Sequence, residues 1–141
     1  MITPLKKRDE IDYEGLEHLF ERLIDGKVSG LFVLGTTGEA PSLNYGVRRE
    51  LIQATCRLVD GRVPVLTGIT DTSLVESANL VAIAADADTS AVVTSAPYYF
   101  PAGQPELRDY LSELIPNLPL PLLLYNIPAL TKTTFSSEVV E

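Results

Sequence analysis

Apolar positions in this chain follow two alternating rhythms. Short, mostly apolar runs at residues 31–34, 63–67, 91–95 and 122–125, unbroken at 31–34, read as strands buried on both faces. Between them, apolar residues recur at helical spacing. Leu16, Leu19, Phe20, Leu23 and Ile24 form one stripe on a helix that Asp12 can cap, running to about Asp25, with Gly26 suited to the C′ position. Asn44 suits the N-cap of a second helix, with Val47, Leu51, Ala54 and Leu58 inward and Gly61 at its end. Asp71, Thr72 or Ser73 caps a third, reaching about Ala87, with Leu74, Ala78, Val81 and Ala85 on one side. Pro105 fits the first turn of a fourth, whose stripe is Leu107, Leu111, Leu114 and Ile115 and which Pro116 and Pro119 break. Ser136 or Ser137 starts a last helix, and residues 1–4 are too short to be an element.

The strands begin near Leu31, Val63, Ala91 and Leu122, a period of roughly thirty residues. Buried strands alternating with amphipathic helices imply right-handed βαβ units and a parallel sheet. The loops decide between a barrel and a doubly wound sheet. Candidate chemistry follows three different strands: Thr36 and Thr37, then Tyr98 and Tyr99, then Tyr125 and Asn126. Convergence of several strand ends on one mouth is barrel behaviour, and no Gly-rich dinucleotide fingerprint or Walker loop is present. The expected fold is α/β, a partial (β/α)8 TIM barrel of about four strand–helix units, with residues 1–141 as the N-terminal part of one barrel domain and its first strand nearly absent.

Composition narrows the functional classes. Apolar residues make up 45% and charged residues 21%, which marks a globular chain. A net charge of −8 argues against nucleic acid as the main partner. Cys56 is the single cysteine, which rules out an intrachain disulfide and a CxxC knuckle, and its place within a helix reads as inert packing. His18 is the single histidine, lies off its helix stripe and reads as solvated; His-paired triads and multi-His metal sites are excluded. No apolar run approaches the roughly 20 residues of a membrane span. The basic start lacks the apolar stretch of a secretory signal, so a cytoplasmic protein is expected.

The stretch Gly35-Thr36-Thr37-Gly38-Glu39 closes the first buried run. Its hydroxyls and backbone N–H groups can grip a carboxylate or phosphate, or a threonine there can simply cap the next helix. Tyr125 closes a buried run, so its ring is expected to pack and its hydroxyl to point into the mouth, where a phenol can pass a proton either way. Packing alone is the competing reading of that tyrosine. Thr36 can relay the proton, because a hydroxyl both donates and accepts. Tyr98-Tyr99 reads as an aromatic rim or an interface patch, and Glu39 as a brace for the loop through backbone N–H bonds.

Gly35-Thr36-Thr37-Gly38-Glu39, Ala96-Pro97-Tyr98-Tyr99 and Tyr125-Asn126-Ile127-Pro128, in that order and each after a strand, resemble the dihydrodipicolinate synthase/N-acetylneuraminate lyase family along essentially the whole chain. The resemblance implies a barrel and class I aldolase chemistry on pyruvate or a related 2-keto acid, with no metal and no organic cofactor. A lysine forms a Schiff base with the keto carbon, and the resulting enamine adds to an aldehyde, or the reverse cleavage occurs. By position, Thr37 and the Thr36 backbone would hold the carboxylate, Tyr125 would be the acid/base, and Thr36 would link it to Tyr99. That last tyrosine comes from the neighbouring subunit in the family, which implies a homo-oligomer, a tight dimer usually paired into a tetramer. The family's Schiff-base lysine lies at the end of the following strand, which residues 1–141 do not contain. Lys6, Lys7, Lys27 and Lys132 do not occupy its place, and Lys132 reads as solvated. Leu130 stands where synthases of dihydrodipicolinate usually carry an arginine, so the resemblance implies a poor fit for aspartate semialdehyde and leaves a sugar-acid aldolase or dehydratase open. A non-catalytic half-barrel relative that binds a keto acid or only assembles is the alternative.

Overall fold

The computed structural model describes residues 1–141, except for the side chain of Asn117. In chain order the elements are β1 (Leu5–Lys7), β2 (Glu10–Ile11), α1 (Tyr13–Asp25), β3 (Leu31–Val33), α2 (Tyr45–Val59), β4 (Val65–Gly68) and α3 (Leu74–Asp86). Then follow β5 (Ala91–Thr94), α4 (Gln104–Leu114), β6 (Leu122–Leu124), α5 (Pro128–Thr131) and α6 (Ser137–Val140). Single 3-10 turns lie at Thr36–Gly38, Ala40–Ser42 and Ile115–Asn117.

Strands β3 to β6 make one parallel sheet in sequential order. Each strand is followed by a helix before its parallel neighbour, the βαβ succession that the sequence rhythm predicts. Val33, Thr67 and Val92 pair across the sheet and share its outer face. Leu31, Val33, Val65 and Val92 there pack in one core with Leu16 and Phe20 of α1, Leu51 and Ile52 of α2, and Leu80 of α3. Phe20 is fully buried, and its truncation to alanine would cost about 3–5 kcal/mol.

The inner face carries Phe32 paired with Leu66, and Val93 paired with Leu123. Burial on both faces holds for β5, where all four residues are buried. It fails for β6, where Leu123 is 45% exposed. The reason is position: β6 ends the sheet, and within residues 1–141 no further strand lies beyond it. At the opposite edge, the Met1 amino group donates to the Phe32 carbonyl at 3.3 Å and the Thr3 hydroxyl to the Gly38 carbonyl at 2.8 Å. The first residues therefore lie along β3.

Helix ends follow the expected capping with local corrections. Asp12 accepts from Gly15 N, Asn44 from Val47 N and Ser73 from Glu76 N, so Ser73 caps α3. After α1 the left-handed residue is Lys27 (φ 57°), while Gly26 stays at φ −70°. The buried face of α3 is Ser77, Leu80, Val81 and Ala84, and Ala78 is exposed. The stripe is misread because small and apolar residues surround this helix, so periodicity does not single out a face. Ile115 is 49% exposed, because α4 ends before it and Pro116 lies in a 3-10 turn. The β1–β2 hairpin was not expected: its residues are mostly charged, and Ile11 alone among them is buried. No helix among the described residues is long and apolar enough to cross a membrane.

Candidate active site

A cavity of about 360 Å³ opens at the carboxyl ends of β3 to β6. That is where barrels carry their chemistry. Its shape begins with Leu34, the residue after β3, which is buried and holds φ 56°. The left-handed region costs an apolar L-residue about 1–2 kcal/mol. The turn presses the Leu34 carbonyl against β4, where a Cβ on Gly68 would lie 2.3 Å from that oxygen. Only glycine fits there without movement of backbone. At Gly35 a Cβ would lie 2.8 Å from the Phe32 ring, so a side chain there would have to displace that ring.

Gly38 N bonds the Gly35 carbonyl and Glu39 N the Thr36 carbonyl, closing the first 3-10 turn. Thr36 lines the cavity; Thr37 is exposed and lies outside the lining. Glu39 lines it with φ 54°, but its carboxylate makes no hydrogen bond among the described residues. The expected bracing by that side chain is therefore absent, and the loop is held through its backbone turns instead.

Thr70 Oγ1, beyond β4, accepts from Ser95 N at 2.8 Å and lies 3.3 Å from Ser95 Oγ, joining two lining residues across strands. Tyr125 N donates to the Thr94 carbonyl at 2.7 Å, which extends the β5–β6 ladder to the mouth. The Tyr125 ring meets Phe32 edge-on but is 40% exposed, less packed than expected because β6 lacks a neighbour on its far side. Thr36 and Tyr125 thus share one cavity, with no hydrogen bond between them. Tyr99 stands apart: it is 84% exposed, holds φ 82° and pairs edge-on with Phe100, itself 77% exposed. Tyr98 takes the place in the lining instead.

Among the described lining residues Glu39 is the one charged side chain. An anion in this half of the mouth would be met by hydroxyls and backbone N–H groups. Lys132 is exposed, with Nζ on the Ala129 carbonyl at 2.9 Å, and is outside the lining. His18 is exposed as expected. Burial, and then the charge of Asp88, push the Cys56 thiol up, which keeps it protonated and inert.

Sequence reasoning missed the charged pair behind this wall. Arg48 and Asp71 are almost completely buried, with Nη1 and Oδ2 2.8 Å apart. Arg48 Nε donates to the Leu43 carbonyl at 3.0 Å, and Asp71 accepts from Ser73 N at 3.0 Å and from the Tyr45 hydroxyl at 3.2 Å. The Arg48 guanidinium sits 4.8 Å from the Tyr45 ring centroid. Burial pushes the Asp71 carboxyl up, but the bonds from Ser73 N, Arg48 and Tyr45, with the guanidinium charge, outweigh it and hold Asp71 below the ordinary carboxylate value. Burial, and then the charge of Asp71, push the Tyr45 phenol up. The available signal was position: Arg48 follows Val47 and precedes Leu51 and Ile52, on the inward side of α2.

Residues 1–141 match the model of the dihydrodipicolinate synthetase family. The chain is 34% identical over all 141 residues to a 4-hydroxy-tetrahydrodipicolinate synthase of Methanocaldococcus jannaschii, of which it covers 48%. It superposes on the dihydrodipicolinate synthase of Bacteroides thetaiotaomicron with a TM-score of 0.93 and 54% identity, covering 99% of this chain and 47% of that one. It also superposes on YagE of E. coli K12, a protein of the dihydrodipicolinic acid synthase family in complex with pyruvate, with a TM-score of 0.93, 32% identity, and 99% of this chain against 47% of that one. The chain belongs to the dihydrodipicolinate synthetase family, its fold is a partial (β/α)8 barrel, and it spans about half the length of the curated relatives it matches.

Proposed function

We propose that this chain is part of a lyase that forms a Schiff base with pyruvate or a related 2-keto acid and joins the resulting enamine to an aldehyde, or runs the reverse cleavage. The observation that carries the reading is the single cavity shared by Thr36 and Tyr125 at the carboxyl ends of the strands of a family member. A lysine from the next strand of the barrel would attack the keto carbon. Tyr125 would protonate the departing hydroxyl as the imine forms and move a proton again in the carbon–carbon step. Thr37 and the Thr36 backbone would hold the carboxylate, as in the family; Thr37 lies outside the lining within residues 1–141, so its part requires the rest of the barrel, and this part of the mouth offers no cation among the described residues.

Tyr99 completes the site only if another copy uses it. Its exposure beside Phe100 suits insertion into a neighbouring subunit, with Thr36 linking that ring to Tyr125. The reading is thus of a cytoplasmic homo-oligomer, dimer or tetramer, that needs no metal or organic cofactor. Leu130 at the cavity rim is 54% exposed and cannot pair with a substrate carboxylate, which favours an aldehyde other than aspartate semialdehyde.

The test is reductive trapping. The whole protein is incubated with pyruvate and borohydride and digested for mass spectrometry. A reduced adduct on a lysine beyond residue 141 is the expected result. Folded protein that gives no adduct would favour the non-catalytic relative.

A further inference from the structure

Arg48 and Asp71 lie behind the cavity wall, and each is tied to a segment that supplies a lining residue. Arg48 Nε holds the Leu43 carbonyl, next to Ser42 in the lining. Asp71 follows Thr70, also in the lining, and is fixed by Ser73 N. The 2.8 Å contact between them ties the end of the loop that starts at Gly35 to the loop leaving β4. That first loop is two short 3-10 turns, and the Thr3 hydroxyl on the Gly38 carbonyl is its one side-chain anchor from the N-terminal segment. Buried ion pairs are often no more stabilising than apolar residues of similar volume. A rigid guanidinium fork whose Nε and Nη1 bond two different segments does something an apolar plug does not: it fixes the distance between two loops.

We propose that Arg48 and Asp71 are positioning residues that hold the Ser42–Leu43 end of the loop against Thr70 and so set the place of Thr36 in the cavity. The catalytic consequence rests on the lyase reading; the clamp itself does not. Two variants of the whole protein test it. Arg48→Lys keeps the charge but loses the fork, and Arg48→Met with Asp71→Leu removes both charges together. The readouts are amide exchange of residues 35–43 and the pyruvate concentration that gives half-maximal borohydride trapping. Both variants should melt close to the wild type, exchange faster across 35–43 and need about 10–100-fold more pyruvate. A folded double variant with wild-type exchange and trapping would overturn the proposal; if that variant does not fold, Arg48→Lys decides by the same readouts. A wild-type protein that gives no adduct, with exchange still raised in the variants, would overturn the lyase reading and support the clamp.

Discussion

The ring of Tyr125 meets that of Phe32 edge-on, with centroids 6.3 Å apart and planes at 82°. Phe32 in turn lies over Gly35, where a Cβ would come within 2.8 Å of its ring. The proposed acid/base group is therefore aimed by an apolar ring, which a glycine of the threonine loop makes room for. Tyr125→Phe keeps that edge contact and deletes the hydroxyl alone. Turnover of the whole protein should fall by roughly 10²–10⁴ with little change in melting temperature. Unchanged turnover would leave Tyr125 with a packing role only.

Gly68→Ala should be costly in an unusual way. The new methyl meets a backbone oxygen at 2.3 Å, so no side chain can swing aside. We expect a loss of about 1–3 kcal/mol in urea unfolding, together with a weaker grip on the keto acid, because the Leu34 turn that leads into Thr36 must shift. A neutral result would mean that the turn relaxes freely.

The Asp71 carboxyl titrates below its ordinary value in the folded chain, so its ionised form favours folding. That contribution is complete above the unfolded value of about 3.9 and is lost as pH falls through the lower folded one. The urea midpoint of the wild type should exceed that of Asp71→Asn by a constant amount near neutral pH. The gap should close progressively below about pH 4. A gap that stays constant down to about pH 2 would show that folding does not lower the Asp71 pKa.

Residues 1–141 alone should not trap pyruvate. Of the lysines they contain, Lys132 is nearest in sequence to Tyr125, and its ammonium is exposed, capped on the Ala129 carbonyl and outside the cavity lining. Borohydride reduction followed by intact mass is the measurement, and a stoichiometric adduct on Lys132 would refute the expectation.

Leu130→Arg should raise kcat/KM for aspartate semialdehyde by about tenfold or more, since a guanidinium pairs with a carboxylate through two parallel bonds. The unsubstituted protein should use that aldehyde poorly. Efficient condensation with Leu130 in place would mean that another group holds the carboxylate.

How much of this was legible follows from what each residue has to do. The strand rhythm was plain, because a strand buried on both faces is mostly apolar; Ala91–Thr94, buried at all four residues, is the clearest case. The convergence of Thr36 and Tyr125 on one mouth followed from topology, since both sit just past parallel strands. Leu34 was not legible as a turn, because leucine there reads as more strand and only the backbone shows its positive φ. The Arg48–Asp71 pair was hidden by the rule that charged residues face water, which fails when two of them satisfy each other. Tyr99 was named by motif, yet its exposure within one chain follows from the loop after β5 rather than from local pattern.

Leu34 and Gly68 also constrain how this barrel can drift over generations. The carbonyl of one fills the volume that a β-carbon on the other would need. A lineage that accepts a side chain at 68 must first abandon the left-handed turn at 34, and with it the present entry into Thr36. The two changes are harmful singly and tolerable only together, so the positions should be inherited as a unit. In a distant sequence, glycine at the counterpart of Gly68 is then a sign that this mouth has been kept, and a larger residue is a sign that it has been rebuilt.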